Sequence, residues 1–168
     1  MSISMYQASA PCFLTTLGNL SAILDKAQTY AEQKKLDPAT LPGCRLYPDM
    51  LPLARQVQIA CDNAKGAVAR LAGAENPRHE DVETTLPELK ARIARTMEFI
   101  KGFTPAQIDG SEEREIVLKL GRNEQKWRGM QYLLGFALPN FYFHVVTAYD
   151  ILRHNGVELV KRDYIGNP

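Results

Sequence analysis

Leu138-Pro139-Asn140-Phe141-Tyr142-Phe143-His144-Val145-Val146-Thr147-Ala148-Tyr149-Asp150-Ile151-Leu152-Arg153-His154-Asn155-Gly156 is the stretch that decides the fold. Phe141, His144, Ala148, Ile151 and Leu152 recur at helical i, i+3, i+4, i+7 spacing, so they share one face. Pro139 suits the first helical turn, where no backbone N–H is needed, and Gly156 suits the residue just past the end. That face carries an imidazole among apolar side chains. Such a group must be hydrogen-bonded, bind a metal or do chemistry, because leaving it unpaired costs roughly a few kcal/mol.

Outward from this helix, three further apolar stripes have the same period. The first helix is expected from Ser4 to Lys34, with Tyr6, Phe13, Leu17, Leu20, Leu24, Ala27 and Ala31 on its buried face. Pro11 interrupts that pattern, so either the helix kinks there or Ser9 caps a later start. Asp49 is the expected N-cap of the second helix, with Pro52 in its tolerant first turn and Gly73 at its end. Its stripe is Leu53, Val57, Ala60, Cys61, Ala64, Val68 and Leu71, bordered by Gln58, Asp62 and Lys65. The small residues Ala60, Ala64, Gly66 and Ala67 leave room for a close neighbour or a ligand. Ala74 to Thr84 is polar and helix-poor, and its His79 reads as a solvated loop histidine. Thr85-Leu86-Pro87-Glu88 is a capping box that opens the third helix, with Leu86, Leu89, Ile93, Met97, Ile100 and Phe103 as its stripe.

After Thr104 the period changes. Ile116, Leu118 and Leu120 alternate with Val117 and Lys119, which predicts a strand, with Gly121 to Gln125 as a turn and Lys126 to Leu133 as the returning strand. Val157 to Pro168 reads as a tail. All three inter-helix links are longer than the roughly two to eight residues of a simple up-down bundle. Crossover topology is therefore favoured. The expectation is an all-α protein: a four-helix bundle with crossover connections and a short β-hairpin between helices 3 and 4, forming one domain over residues 1–168.

Composition bounds the function. Hydrophobic residues make up 45% and charged residues 23%, the balance of an ordinary globular protein. A formal net charge of +1 gives no global field to draw nucleic acid or anionic lipid, so neither is an expected partner. Lys126-Trp127-Arg128 reads as a strand face, since no basic patch surrounds it. Cys12, Cys44 and Cys61 form no CxxC and no metal-ligand spacing. An odd cysteine count without a secretory signal points to reduced thiols and a cytoplasmic location. Cys12 and Cys61 fall on apolar stripes, as small hydrophobes do. Tyr47, Tyr142, Tyr149 and Phe143 exceed what one bundle core can take, and a homodimer is the expected way to cover them.

Pro48-Asp49-Met50, the run Gln56 to Lys65, Ala69 to Gly73 and the run Phe143 to Gly156 resemble the DinB/YfiT-like superfamily of four-helix bundles. More closely, they resemble a branch of it known only as a domain of unknown function. Better-known members hold a divalent metal with three histidines, and some use a low-molecular-weight thiol for isomerase or S-transferase chemistry. The resemblance places His144 on the last metal histidine and Asn140 where another histidine stands one turn earlier. It leaves Gln58 and Asp62 as the polar candidates on the second helix, which has no histidine. One imidazole beside amides is a poor ligand set for zinc or nickel, so no metal and no cofactor are expected.

His144 is then either a satisfied core histidine, bonded to a tyrosine, an amide or Asp62, or a general base or ligand anchor in an inherited pocket. In the second case Asn140 and Gln58 orient a polar molecule by hydrogen bonds, and His144, Asn140, Gln58 and Asp62 form the candidate ligand site. The reading that follows is a bundle protein binding a small molecule near His144 without a metal. A metal-dependent thiol transferase or isomerase and a non-catalytic homodimer are the alternatives. His154, at the helix end, reads as a cap for terminal carbonyls.

Overall fold

The computed structural model describes residues 3–120 and 123–166, except the side chain of Leu120. Four long helices build it: α1 (Ala10–Lys34), α3 (Leu53–Ala72), α4 (Leu86–Lys101) and α7 (Leu138–His154), with the short α2 (Thr40–Gly43) and α5 (Pro105–Ile108) in the links. α4 packs between α1 and α3, and α7 packs mainly on α3. The chain therefore crosses the bundle from α1 to α3 and again from α4 to α7, the crossover connectivity that the long links imply. Phe13, Leu17 and Leu24 of α1 meet Val57, Ala60 and Ala64 of α3, Leu89 and Ile93 of α4, and Phe141 and Val145 of α7 in one core. The Phe13 and Phe141 rings meet edge to face at 4.9 Å, the favoured aromatic geometry.

Two helix starts differ from the sequence expectation. α1 begins at Ala10 rather than Ser4, which puts Pro11 in the first turn. Ser9 stands at the cap position, but its hydroxyl turns back and donates to the Met5 carbonyl at 2.6 Å instead of capping the helix. α3 begins at Leu53 rather than after Asp49, because a residue before proline avoids the helical region and Pro52 itself is extended (φ −70°, ψ 166°). Its end is as expected: Gly73 takes the left-handed conformation at φ 66°. The capping box of α4 is present, with the Thr85 N–H donating to Glu88 Oε2 at 3.0 Å and the Glu88 N–H to Thr85 Oγ1 at 3.4 Å.

The hairpin pairs β1 (Glu115–Leu120) antiparallel with β2 (Asn123–Arg128), Ile116 opposite Trp127 and Leu118 opposite Gln125. Ile116 and Leu118 face inward and Val117 outward, as the alternation requires. The returning strand starts earlier and ends earlier than expected. Asn123 to Gln125 are strand, while Gly121 and Arg122 of the expected turn lie outside the described residues. From Gly129 the chain is helical: α6 (Gly129–Tyr132), a π-helical turn (Leu133–Ala137) and α7 follow without a break. Gly129 allows the switch, because a Cβ there would lie 1.9 Å from the Ser111 carbonyl oxygen. The π turn ends two residues before Pro139, and such a widened turn lets a helix pass a proline that lacks its N–H. The expected tail carries α8 (Lys161–Ile165), tied to α1 by Asn19 donating to the Tyr164 carbonyl at 3.0 Å and by a Lys26–Asp163 ion pair at 2.8 Å.

The polar segment 74–84 is clamped rather than loose. Arg92 on α4 is completely buried; its Nη1 donates to the Glu80 carbonyl at 2.9 Å and to Glu83 Oε2 at 3.0 Å. Nη2 lies 2.9 Å from Asp62 Oδ2 and 3.0 Å from Asp81 Oδ1. Lys65 adds a bond to the Pro77 carbonyl, and Arg55 pairs with Asp81. Removing the guanidinium strands these acids. Arg92→Met should lower the unfolding free energy by about 3–5 kcal/mol in chemical denaturation, whereas removing a largely exposed partner, Arg95→Met, should cost less than about 1 kcal/mol.

Candidate functional site

His144 projects from α7 toward α3 and is 9% exposed. Its Nδ1 lies 2.7 Å from Gln56 Oε1, while Gln56 Nε2 donates to the Leu51 carbonyl at 3.0 Å. A carbonyl oxygen can only accept, so the Gln56 amide nitrogen must face Leu51 and its oxygen must face the imidazole. Nδ1 therefore carries the hydrogen and Nε2 the lone pair in neutral His144. Burial pushes the imidazole pKa below its ordinary value. Of the tyrosine, amide or Asp62 open to it as a partner, His144 has the amide, supplied by Gln56. Gln56 sits between Leu53 and Ala60 on the stripe of α3, and a polar residue at such a position was the signal for it.

Gln58 faces the other side of α3. It accepts from Arg55 Nη1 at 2.7 Å and donates to Glu83 Oε2 at 3.0 Å, within the cluster around Arg92. Asp62 belongs to that cluster through Arg92 and also reaches a cleft of about 330 Å³. The cleft lies between α3, the π turn and β1, and Asn140 lines it with Asp62. Of the four expected ligand residues, Asp62 and Asn140 share one cleft, whereas His144 and Gln58 do not line it.

The cleft wall contains groups that the sequence stripes did not single out. Tyr132 and Phe136 flank it with ring centroids 6.0 Å apart. Phe136 belongs to the π turn, an element with no distinct sequence period. Arg70 donates from Nη1 to Tyr132 Oη at 3.1 Å. Burial raises the Tyr132 phenol above its ordinary pKa despite that guanidinium, so it keeps its proton at neutral pH and can donate. Asn63 is beside it, its Nδ2 shielded from solvent without an acceptor.

Two other chemistry-bearing residues have clear environments. His79, expected to be solvated, is half-buried with Nδ1 shielded and unpartnered, and its pKa is pushed down by burial and then by Lys65, Arg92 and Arg95. Cys61 is fully buried, and burial pushes its thiol up to about 12, far from a nucleophilic thiolate. No three His, Cys, Asp or Glu side chains among the described residues gather into a group that could hold a metal. The residues here do not fit a three-histidine site: His144 brings one imidazole, and its nearest polar partner is an amide.

A four-helix bundle with crossover links and a hairpin before the last helix is DinB-like in class. Residues 5–165 match the family described as a domain of unknown function (DUF1993), and the chain belongs to that family. It is similar to the crystal structure of a DinB family member from Shewanella denitrificans, with 44% identity and a TM-score of 0.89 over 97% of this chain and 92% of that one. No curated protein matches it.

The two depressed histidines give a pH signature. Each resists protonation in the folded chain more than in the unfolded one, so the unfolded state takes up more protons as pH falls. Stability should hold above about pH 6.5, the ordinary histidine value, and decline below it toward the lowered folded pKa values. Urea unfolding between about pH 5 and 7 should show this slope. His144→Gln and His79→Asn should each flatten it, and an unchanged slope in the double variant would contradict the assignment.

Proposed function

We propose that this protein binds a small organic molecule, without a metal, in the cleft one helical turn from His144. The observation that carries the reading is the cleft itself: about 330 Å³, with the Tyr132 and Phe136 rings beside Asp62, Asn63, Arg70 and Asn140. A concave site that joins apolar and aromatic walls to convergent polar groups is the form small-molecule sites take. The absence of a histidine or thiolate trio among the described residues supports binding without zinc or nickel. His144 then serves as a tie between helices rather than as a ligand group, which its bond to Gln56 supports. A ligand-observed NMR fragment screen tests this. Hits should be lost when Ile59→Trp fills the cleft and should persist in His144→Gln. Hits unaffected by Ile59→Trp, or stoichiometric zinc or nickel in untagged protein that is lost in His144→Ala, would overturn it and favour the metal-dependent thiol enzyme.

The protein is further proposed to act as a homodimer. Met130, Leu134, Phe143 and Val146 support this, being exposed by 45%, 56%, 56% and 39%. With Pro139 they recur every three to five residues, the longest step spanning the π turn, so they follow one side of a continuous helix. An exposed apolar stripe of this kind suits a symmetric partner. Sedimentation should give a dimer that Leu134→Glu with Phe143→Glu converts to a monomer. A wild type that stays monomeric at every concentration would remove the proposal.

A further inference from the structure

We propose that the cleft selects a small organic carboxylate with a flat apolar body, and that Arg70 is its anchor; this rests on the cleft being a ligand site. Arg70 is half-buried. Its guanidinium folds back one turn along α3 and lies on Gly66, where a Cβ would stand 2.5 Å from Nη1 and 3.3 Å from Cζ. Tyr132 also holds it, by the 3.1 Å hydrogen bond and by a ring centroid 6.0 Å from Cζ. A guanidinium fixed in this way keeps most of its five donors free while having lost its conformational freedom in advance.

The charge balance of the cleft indicates the ligand's charge. Arg70 and Lys119 bring two cations, and neither is engaged by a carboxylate among the described residues. Asp62, the acid of the same cleft, is committed to Arg92 at 2.9 Å. Two cations against one shared carboxylate leave the cleft net positive. A planar carboxylate matches the guanidinium fork and the positive field of the cleft. The Phe136 and Tyr132 rings with Ile59 and Leu118 supply an apolar wall for the rest of the molecule, and the modest volume limits it to a single ring or short chain.

The test titrates the full chain with benzoate and phenylacetate, and with benzamide and phenylacetamide as their uncharged matches, by calorimetry and ligand-observed NMR. The acids should bind at least about tenfold more tightly than the amides. Arg70→Gln should abolish that difference. Gly66→Ala suits a helix and meets only side-chain ends, those of Arg70 and of Asn76 (Nδ2 at 3.2 Å), so it should keep the melting temperature while its methyl displaces the guanidinium and weakens the acids by a similar factor. Equal binding of acids and amides, or an acid preference that survives Arg70→Gln, overturns the carboxylate assignment and leaves the cleft as a ligand site. If neither set binds while fragments occupy the cleft, the assignment falls alone. If the cleft takes no fragment either, both readings fall.

Discussion

A guanidinium with no solvent exposure can remain charged only if acids and carbonyls surround it, and Arg92 has three carboxylates and the Glu80 carbonyl. The low dielectric that makes this charge expensive to bury also makes each of those contacts strong and geometrically demanding. Glu80, Asp81 and Glu83 come from the link between α3 and α4, and Asp62 comes from α3 itself. One side chain on α4 therefore determines where the α3–α4 link runs and how α4 sits on α3. Gln58 and Arg95 complete the shell around Glu83, so the acid deepest in the cluster is paired as well as buried. The cluster also governs the cleft, because Asp62 is shared between the two. With its Oδ2 turned to Arg92, Asp62 offers the cleft a partly neutralised carboxylate, and the field there is set by Arg70 and Lys119.

The last helix imposes the second constraint. Gly129 brings the chain against the Ser111 carbonyl, which no larger residue could approach, and from there helix runs continuously to His154. The π turn inside it shifts the phase of everything downstream by one residue. That shift lets Tyr132, Phe136 and Asn140 face the same cleft while Phe141, Val145 and Ala148 still reach the core. It also carries the exposed stripe from Leu134 past Pro139 to Phe143. Cleft and apolar face thus follow from a single inserted residue.

Most of the bundle was legible because long amphipathic helices repeat their signal over many residues. The stripes of α1, α3, α4 and α7, the Thr85–Glu88 box, the Gly73 cap and the inward Ile116 and Leu118 all follow from period and cap chemistry. The start of α3 was misread because Asp49 is a good cap in isolation, while the restriction that Pro52 places on Leu51 acts more strongly. Residues 129–133 were misread as strand because their helix depends on a tertiary contact, Gly129 against Ser111. At the site, Asp62 was legible as a polar residue beside an apolar stripe, and Asn140 through the family resemblance. Arg70 was not, since an arginine at a helix edge ordinarily snorkels to solvent, and here the space over Gly66 and the bond to Tyr132 hold it back. Arg92 did leave a trace, because it lies three residues after Leu89 and four before Thr96 on a face that is otherwise buried.

His144 shows how one group can keep the geometry of a ligand while doing a different task. A metal-bound histidine commonly donates its second ring N–H to an acceptor that fixes the tautomer. His144 has that arrangement, with Nδ1–H directed at Gln56 and the Nε2 lone pair left over. What it lacks is companions, because Asn140 is an amide and the α3 group against it is the amide of Gln56. The bond to Gln56 continues into the Leu51 carbonyl, so α7, α3 and the approach to α3 are joined by one chain of hydrogen bonds. That chain anchors the segment before Leu53 at the point where Asp49 does not cap the helix. In this bundle the imidazole binds protein to protein, joining α7 to α3 one turn from Asn140.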